Sequence, residues 1–121
     1  MNKFEAAQKL QNRTKQFAIQ IIQAFSSLPK TEAARIIGRQ FLRSDTSVAA
    51  NYRAVCRARS RAEFISKIAV VVEEADETLF WLDLLVDAGL TQNQAVSALR
   101  TECAELLKIF SRSLTTAKSN R

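Results

Sequence analysis

The chain has 121 residues, a formal charge of +6, 47% hydrophobic and 25% charged residues, and only three glycine or proline positions. That length suits one domain with a single core, and so little turn-forming material excludes most sheet architectures and points to an all-α fold. Two cysteines, no histidine and no apolar run longer than "IAVVV" predict no disulfide framework, no histidine chemistry and no membrane span. The expectation is a soluble, cytoplasmic protein with Cys56 and Cys103 as reduced, buried thiols.

In chain order, "RTKQFAIQIIQAFSSL" predicts a first helix, because Phe17, Ile21, Ala24, Phe25 and Leu28 recur at steps of three and four and share one face. "LPK" forms the first corner, with Pro29 suited to the first turn of the next helix and Thr31 able to cap it. A second helix is predicted over about 30–59, with Ile37, Phe41, Ser44, Val48, Asn51 and Val55 on its inward seam. Gly38 interrupts it and suggests a close helix approach. Ser60, followed by Glu63, is a capping-box start for a third helix over about 61–88, with Phe64, Ile68, Val71, Ala75, Thr78, Leu82 and Leu85 inward and Gly89 as its stop. A fourth helix follows Thr91, carries Ala95, Ala98, Leu99, Leu106, Ile109 and Phe110 inward, and gives way to a frayed tail "TTAKSNR". Four helices with short connections predict an antiparallel up-down bundle over residues 1–121.

Charge is distributed unevenly. Residues 1–61 carry 12 basic and 3 acidic side chains, residues 62–90 carry 1 and 7, and residues 91–121 carry 5 and 2. Folding the second and third helices about a turn near Ser60 sets Arg57 opposite Glu63, Arg43 opposite Glu77 with Glu74 a turn away, and Asn51 opposite Lys67. The predicted polar network is therefore Arg43, Ser44, Asn51, Lys67, Glu74 and Glu77, with a partly buried Arg43 fixing the register of the hairpin.

The acidic run "EEADE" is a partner for the second helix in this reading. Without histidine there is no Glu-x-x-His metal motif, and no nucleophile–base pair or glycine-rich phosphate loop occurs, so no catalytic residue, metal or cofactor is assigned. The arginines outside the predicted pairs, Arg35, Arg39, Arg53, Arg59 and Arg61, are the candidate nucleic-acid-binding set, since lysine and arginine displace counterions from phosphate. In "LFWLDLLV" seven of eight positions are apolar, more than one bundle interface covers. Phe80 and Trp81 are accordingly the candidate oligomer interface.

The blocks "RQFLRSDTSVAANYRAVCRARSRAEFISKI" and "EEADETLFWLDLL", with "LPK" before them, resemble the four-helix-bundle proteins encoded in intervening sequences of 23S ribosomal RNA genes, the S23-type family. The matching positions are Leu42, Arg43, Ser44, Thr46, Ser47, Ala50, Asn51, Phe64, Lys67, Glu74, Glu77, Thr78, Trp81 and Leu82. Asp45 departs from the pattern, where small residues are common. The resemblance implies a homopentamer arranged around a five-fold axis as a basic barrel. It also implies kinship with the accessory variability determinant of diversity-generating retroelements, which binds nucleic acid and a reverse transcriptase. The expected function is a non-enzymatic oligomeric bundle that binds RNA or DNA; the alternative is a scaffold that docks a protein such as a reverse transcriptase.

Overall fold

Four helices account for nearly the whole chain in the computed structural model, which describes residues 1–120: α1 (Lys3–Ser26), α2 (Glu32–Val55), α3 (Arg61–Asp87) and α4 (Gln94–Ser119). Each begins at a side chain that accepts an otherwise unpaired backbone N–H, which is why the sequence starts helices at these points. Asn2 accepts from the amide of Glu5, Thr31 from that of Ala34, Ser60 from that of Glu63 and Asn93 from that of Ala95. Thr91 is not the α4 cap. Its hydroxyl accepts from the Asn93 amide and shapes the turn that presents Asn93.

Helix bounds depart from expectation in four places. α1 starts ten residues before Arg13, and Pro29 sits in the corner ahead of Thr31 instead of inside the first turn of α2. α2 stops at Val55, four residues early, and Cys56 follows it as an exposed thiol. The tail expected to fray is helical through Ser119, whereas Arg121 lies outside the described residues. α3 ends as expected: Gly89 adopts φ 69°, and the Leu90 amide donates back to the Leu85 carbonyl.

α1 packs on α2 and α4, and α3 packs on the same two helices, so α1 and α3 occupy diagonal corners of an up-down bundle. Its core is built from Phe17 and Ile21 of α1, Phe41 and Val48 of α2, Ile68, Val71, Leu82 and Leu85 of α3, and Val96, Leu106 and Phe110 of α4. From Ile68 to Leu85, the inward seam of α3 is the predicted one. α2 is rotated from its predicted seam. Ala34, Gly38, Phe41, Ser44, Asp45, Val48, Tyr52 and Val55 are buried, while Ile37 and Asn51 lie at the margin. α4 turns Val96, Leu99, Cys103, Leu106 and Phe110 inward and leaves Ala95 and Ala98 exposed.

Gly38 marks the close contact of α1 with α2. A Cβ there would lie 2.5 Å from Cδ1 of Leu28 and 3.0 Å from Cδ1 of Phe25. At the centre of the α2/α3 contact, Ser44 and Thr78 are fully buried with their hydroxyl oxygens 2.7 Å apart. Among the described residues, no helix is long and apolar enough to cross a membrane.

Candidate nucleic-acid interface

α2 presents a regular stripe to solvent: Arg39, Arg43, Thr46, Ala50 and Arg53, spaced four and three apart, are all exposed, and Arg57 is exposed in the turn just beyond the helix. The stripe is opposite the buried Phe41–Val48–Val55 row, so the packing that buries one face of α2 aims these arginines outward. Early termination of α2 then bends the chain sharply. The amides of Arg57 and Ala58 donate to the carbonyls of Ala54 and Val55, and Ser60 starts α3 immediately afterwards.

Around this corner the chain forms a shallow cleft of about 300 Å³ whose charged lining is Arg53, Arg57, Arg59, Lys67 and Glu63, with Ala50 and Ala54 between them. Four cations face one carboxylate over a floor of small side chains. Such a surface leaves room for an anionic group to approach several donors at once.

Two of these cations were expected to be committed elsewhere. Arg57 makes no ion pair with Glu63 within 4 Å, and Lys67 does not bond Asn51. Asn51 instead donates its side-chain amide to the carbonyl and hydroxyl oxygens of Ser47, 2.9 and 3.0 Å away on its own helix. The sequence signal that singles out Arg57 and Lys67 is their position beside the turn, once α2 is known to stop at Val55.

Arg61 moves in the opposite direction, from candidate binder to structural tie. Its guanidinium donates from Nε and Nη2 to the Ala117 carbonyl, at 2.9 and 2.7 Å, and from Nη2 to that of Lys118 at 3.1 Å. A cation on the last carbonyls of α4 satisfies acceptors that a helix end leaves open and opposes the negative end of its dipole. Arg35 and Arg39 are exposed but belong to the first half of α2, with Arg39 roughly 21 Å along the helix axis from Arg53. They do not line the cleft.

The hairpin register predicted for Arg43 is present. Its guanidinium bonds Glu77 and approaches Glu74, with Nη1 3.5 Å from Oε2, and the Trp81 indole N–H donates to the same Glu77 oxygen at 3.2 Å. Arg43 is more than half exposed, so this is a surface clamp and not the partly buried pair expected. Trp81 is correspondingly half-buried beneath Phe80, whose ring meets it edge-on with centroids 5.0 Å apart. Phe80 and Leu84 carry the outward apolar surface of α3.

Cys103 alone matches the expectation of a buried thiol; it donates weakly to the Ala75 carbonyl at 3.6 Å. Burial pushes its pKa well above the ordinary thiol range, making it a weaker acid. Nearby, Asp45 is 2% exposed, its Oδ2 has no hydrogen-bond partner, and desolvation raises its pKa to about 7. Among the described residues, no three Cys, Asp or Glu side chains converge as a metal-binding group.

The fold and this surface define a four-helix bundle with a cationic corner and an apolar outer face on α3. Residues 7–112 match the 23S rRNA-intervening sequence protein family, and the chain belongs to it. It is similar to the crystal structure of a protein of unknown function from the S23 ribosomal protein family of Bacteroides thetaiotaomicron. The two are 28% identical with a TM-score of 0.80, over 90% of this chain and 97% of that one. No curated protein matches the sequence.

Proposed function

We propose that this protein binds RNA or other nucleic acid through phosphate contacts at the α2/α3 corner, as an oligomer and without catalytic chemistry of its own. The observation that carries this reading is the cleft of Arg53, Arg57, Arg59 and Lys67 facing the single carboxylate of Glu63. Phosphate contacts of this kind supply sequence-independent affinity that falls steeply with salt. The family resemblance to pentameric relatives supports repeating the corner around a ring, which would multiply the positive surface, and the exposed Phe80 beside Trp81 is the apolar contact we assign to self-association.

The test is a titration of nuclease-treated protein with fluorescent single-stranded RNA across a salt series, with particle mass followed by light scattering. Binding should weaken with salt. Arg53→Ala with Arg57→Ala should reduce the magnitude of the log–log slope by about 1.4, roughly 0.7 for each phosphate contact removed on a single strand. Arg35→Ala with Arg39→Ala should change it less. A double Arg53/Arg57 variant that binds like the parent would sink the assignment, and a Phe80→Glu variant of unchanged mass would remove Phe80 from the oligomer contact.

A second reading has its own support in the apolar outer face of Phe80 and Leu84: a scaffold whose partner protein, such as a reverse transcriptase, docks there. Absence of RNA binding at low salt by an intact oligomer would favour it.

A further inference from the structure

A second concavity, larger than the cationic corner, lies elsewhere on the molecule. Between α1 and α4, toward the start of α1 and the end of α4, is a groove of about 830 Å³ lined by Leu10, Tyr52, Phe64 and Ile109, with Ala6 and Ala7 beside them. Among the described residues its charged lining is Lys3, Lys9, Arg13 and Arg112, with no carboxylate. Ligand sites between the helices of bundles have this size and this make-up, mainly apolar with a few placed polar groups.

The register of the walls locates the charges. Arg13 donates from Nε and Nη2 to the two carboxylate oxygens of Glu102, at 2.8 and 2.6 Å, which fixes α1 against the antiparallel α4 and commits Arg13 within the protein. Ten residues back along α1 is Lys3; ten residues forward along α4 is Arg112. These two cations therefore stand level with each other, across the groove, and among the described residues neither forms an ion pair within 4 Å. From that level to Arg13 the groove extends roughly 15 Å along α1, about the reach of an extended chain of a dozen carbons by ordinary C–C geometry.

We propose that this groove binds a free single-chain fatty carboxylate. The carboxylate sits between Lys3 and Arg112, whose aliphatic stems cover the start of the tail. The tail lies on Leu10, Phe64, Ile109 and the face of Tyr52. Charge selects the ligand: a mainly apolar groove whose charged lining, among the described residues, is all cationic disfavours a cationic amphiphile of equal length, and its uncharged polar lining, Ser113, Thr116 and Asn120, lies on the α4 wall.

Calorimetric titration of the full chain at pH 8 with dodecanoate below its micelle concentration tests this, with dodecyltrimethylammonium as the control of opposite charge. Dodecanoate should bind one per chain and the control at least tenfold more weakly. Lys3→Gln with Arg112→Gln should weaken dodecanoate at least tenfold. Ala7→Trp, which places an indole in the groove from a half-exposed helix position, should abolish binding while leaving the helical circular-dichroism signal intact. No heat of binding, equal affinity for the two amphiphiles, or dodecanoate affinity indifferent to Ala7→Trp would each overturn the proposal. So would a fall in particle mass of the ligand-free Ala7→Trp variant, which would mean that a second copy of the chain fills the groove.

Discussion

The hydroxyls of Ser44 and Thr78 meet at 2.7 Å in the fully buried centre of the α2/α3 contact, and each also lies near a backbone carbonyl of its own helix. The Glu74 carbonyl lies 2.8 Å from the Thr78 hydroxyl, a shorter contact than Ser44 has to any carbonyl, which favours Thr78 donating to Glu74 and Ser44 donating to Thr78. The only other acceptor near Ser44 is the Phe41 carbonyl at 3.4 Å.

From this follows an asymmetry between two conservative substitutions. Ser44→Ala leaves Thr78 still donating and should cost about 1 kcal/mol, whereas Thr78→Val strands the Ser44 proton in the core and should cost about 1–3 kcal/mol. The double variant should cost less than the two added together, by at least about 0.5 kcal/mol, because no stranded group remains. Urea unfolding of the three variants measures all of these quantities, and strict additivity would disprove the coupling.

Asp45 predicts the pH dependence. Its carboxyl titrates near 7 in the folded protein because burial disfavours the charge, and near the ordinary value of 3.8 when unfolded. Between those values the folded state holds more protons, so this residue's contribution to stability is intact below about pH 4 and is lost as pH rises through 7. The loss should be about 2–4 kcal/mol between pH 4 and pH 8.5. Asp45→Asn should flatten that part of the profile whatever its effect at a single pH. A variant whose stability falls with pH as steeply as the parent's would show that Asp45 is not the group responsible.

Gly38 sets two effects against each other. Alanine there gains about 1 kcal/mol of helix propensity, but its methyl group must displace Leu28 Cδ1 from 2.5 Å and crowds the Phe25 ring at 3.0 Å. Leu28 is buried and closes the α1 corner, so the repacking, about 1–3 kcal/mol, outweighs the gain. Gly38→Ala should therefore lower the melting temperature and Gly38→Val should lower it further. A more stable Gly38→Ala protein would mean that the corner yields freely.

The number and order of the helices, the α3 seam and the Arg43–Glu77 pair were legible because each depends on spacing within a helix or on one hairpin register. The α2 seam was drawn one residue too narrow. Ser44 and Asp45 are both inward, and an aspartate in the sequence gives no sign that it will be buried without a partner. The Lys67–Asn51 and Arg57–Glu63 pairs failed for different physical reasons. Asn51 finds acceptors one turn back on its own helix, which no interhelical register argument considers. Arg57 lies beyond the end of α2, where the turn, and not the helical repeat, sets direction. The α1/α4 groove went unseen because residues 3–12 carry few large apolar side chains, so the helix they form opposite α4 leaves space instead of filling it.

An up-down bundle brings the start of α1, the end of α2, the start of α3 and the end of α4 to one pole. Here that pole holds Lys3, Lys9, Arg53, Arg57, Arg59, Arg61, Arg112 and Lys118, against Glu5 and Glu63. The opposite pole is close to neutral, with Glu32, Asp83 and Asp87 against Lys30, Arg35 and the Arg100 that the two aspartates share. The protein is thus an electric dipole laid along its own long axis. The field of a polyanion of the kind proposed above would exert a torque on it before contact, turning the cationic pole forward, so encounters would be end-on and their frequency would fall as salt shortens the reach of that field.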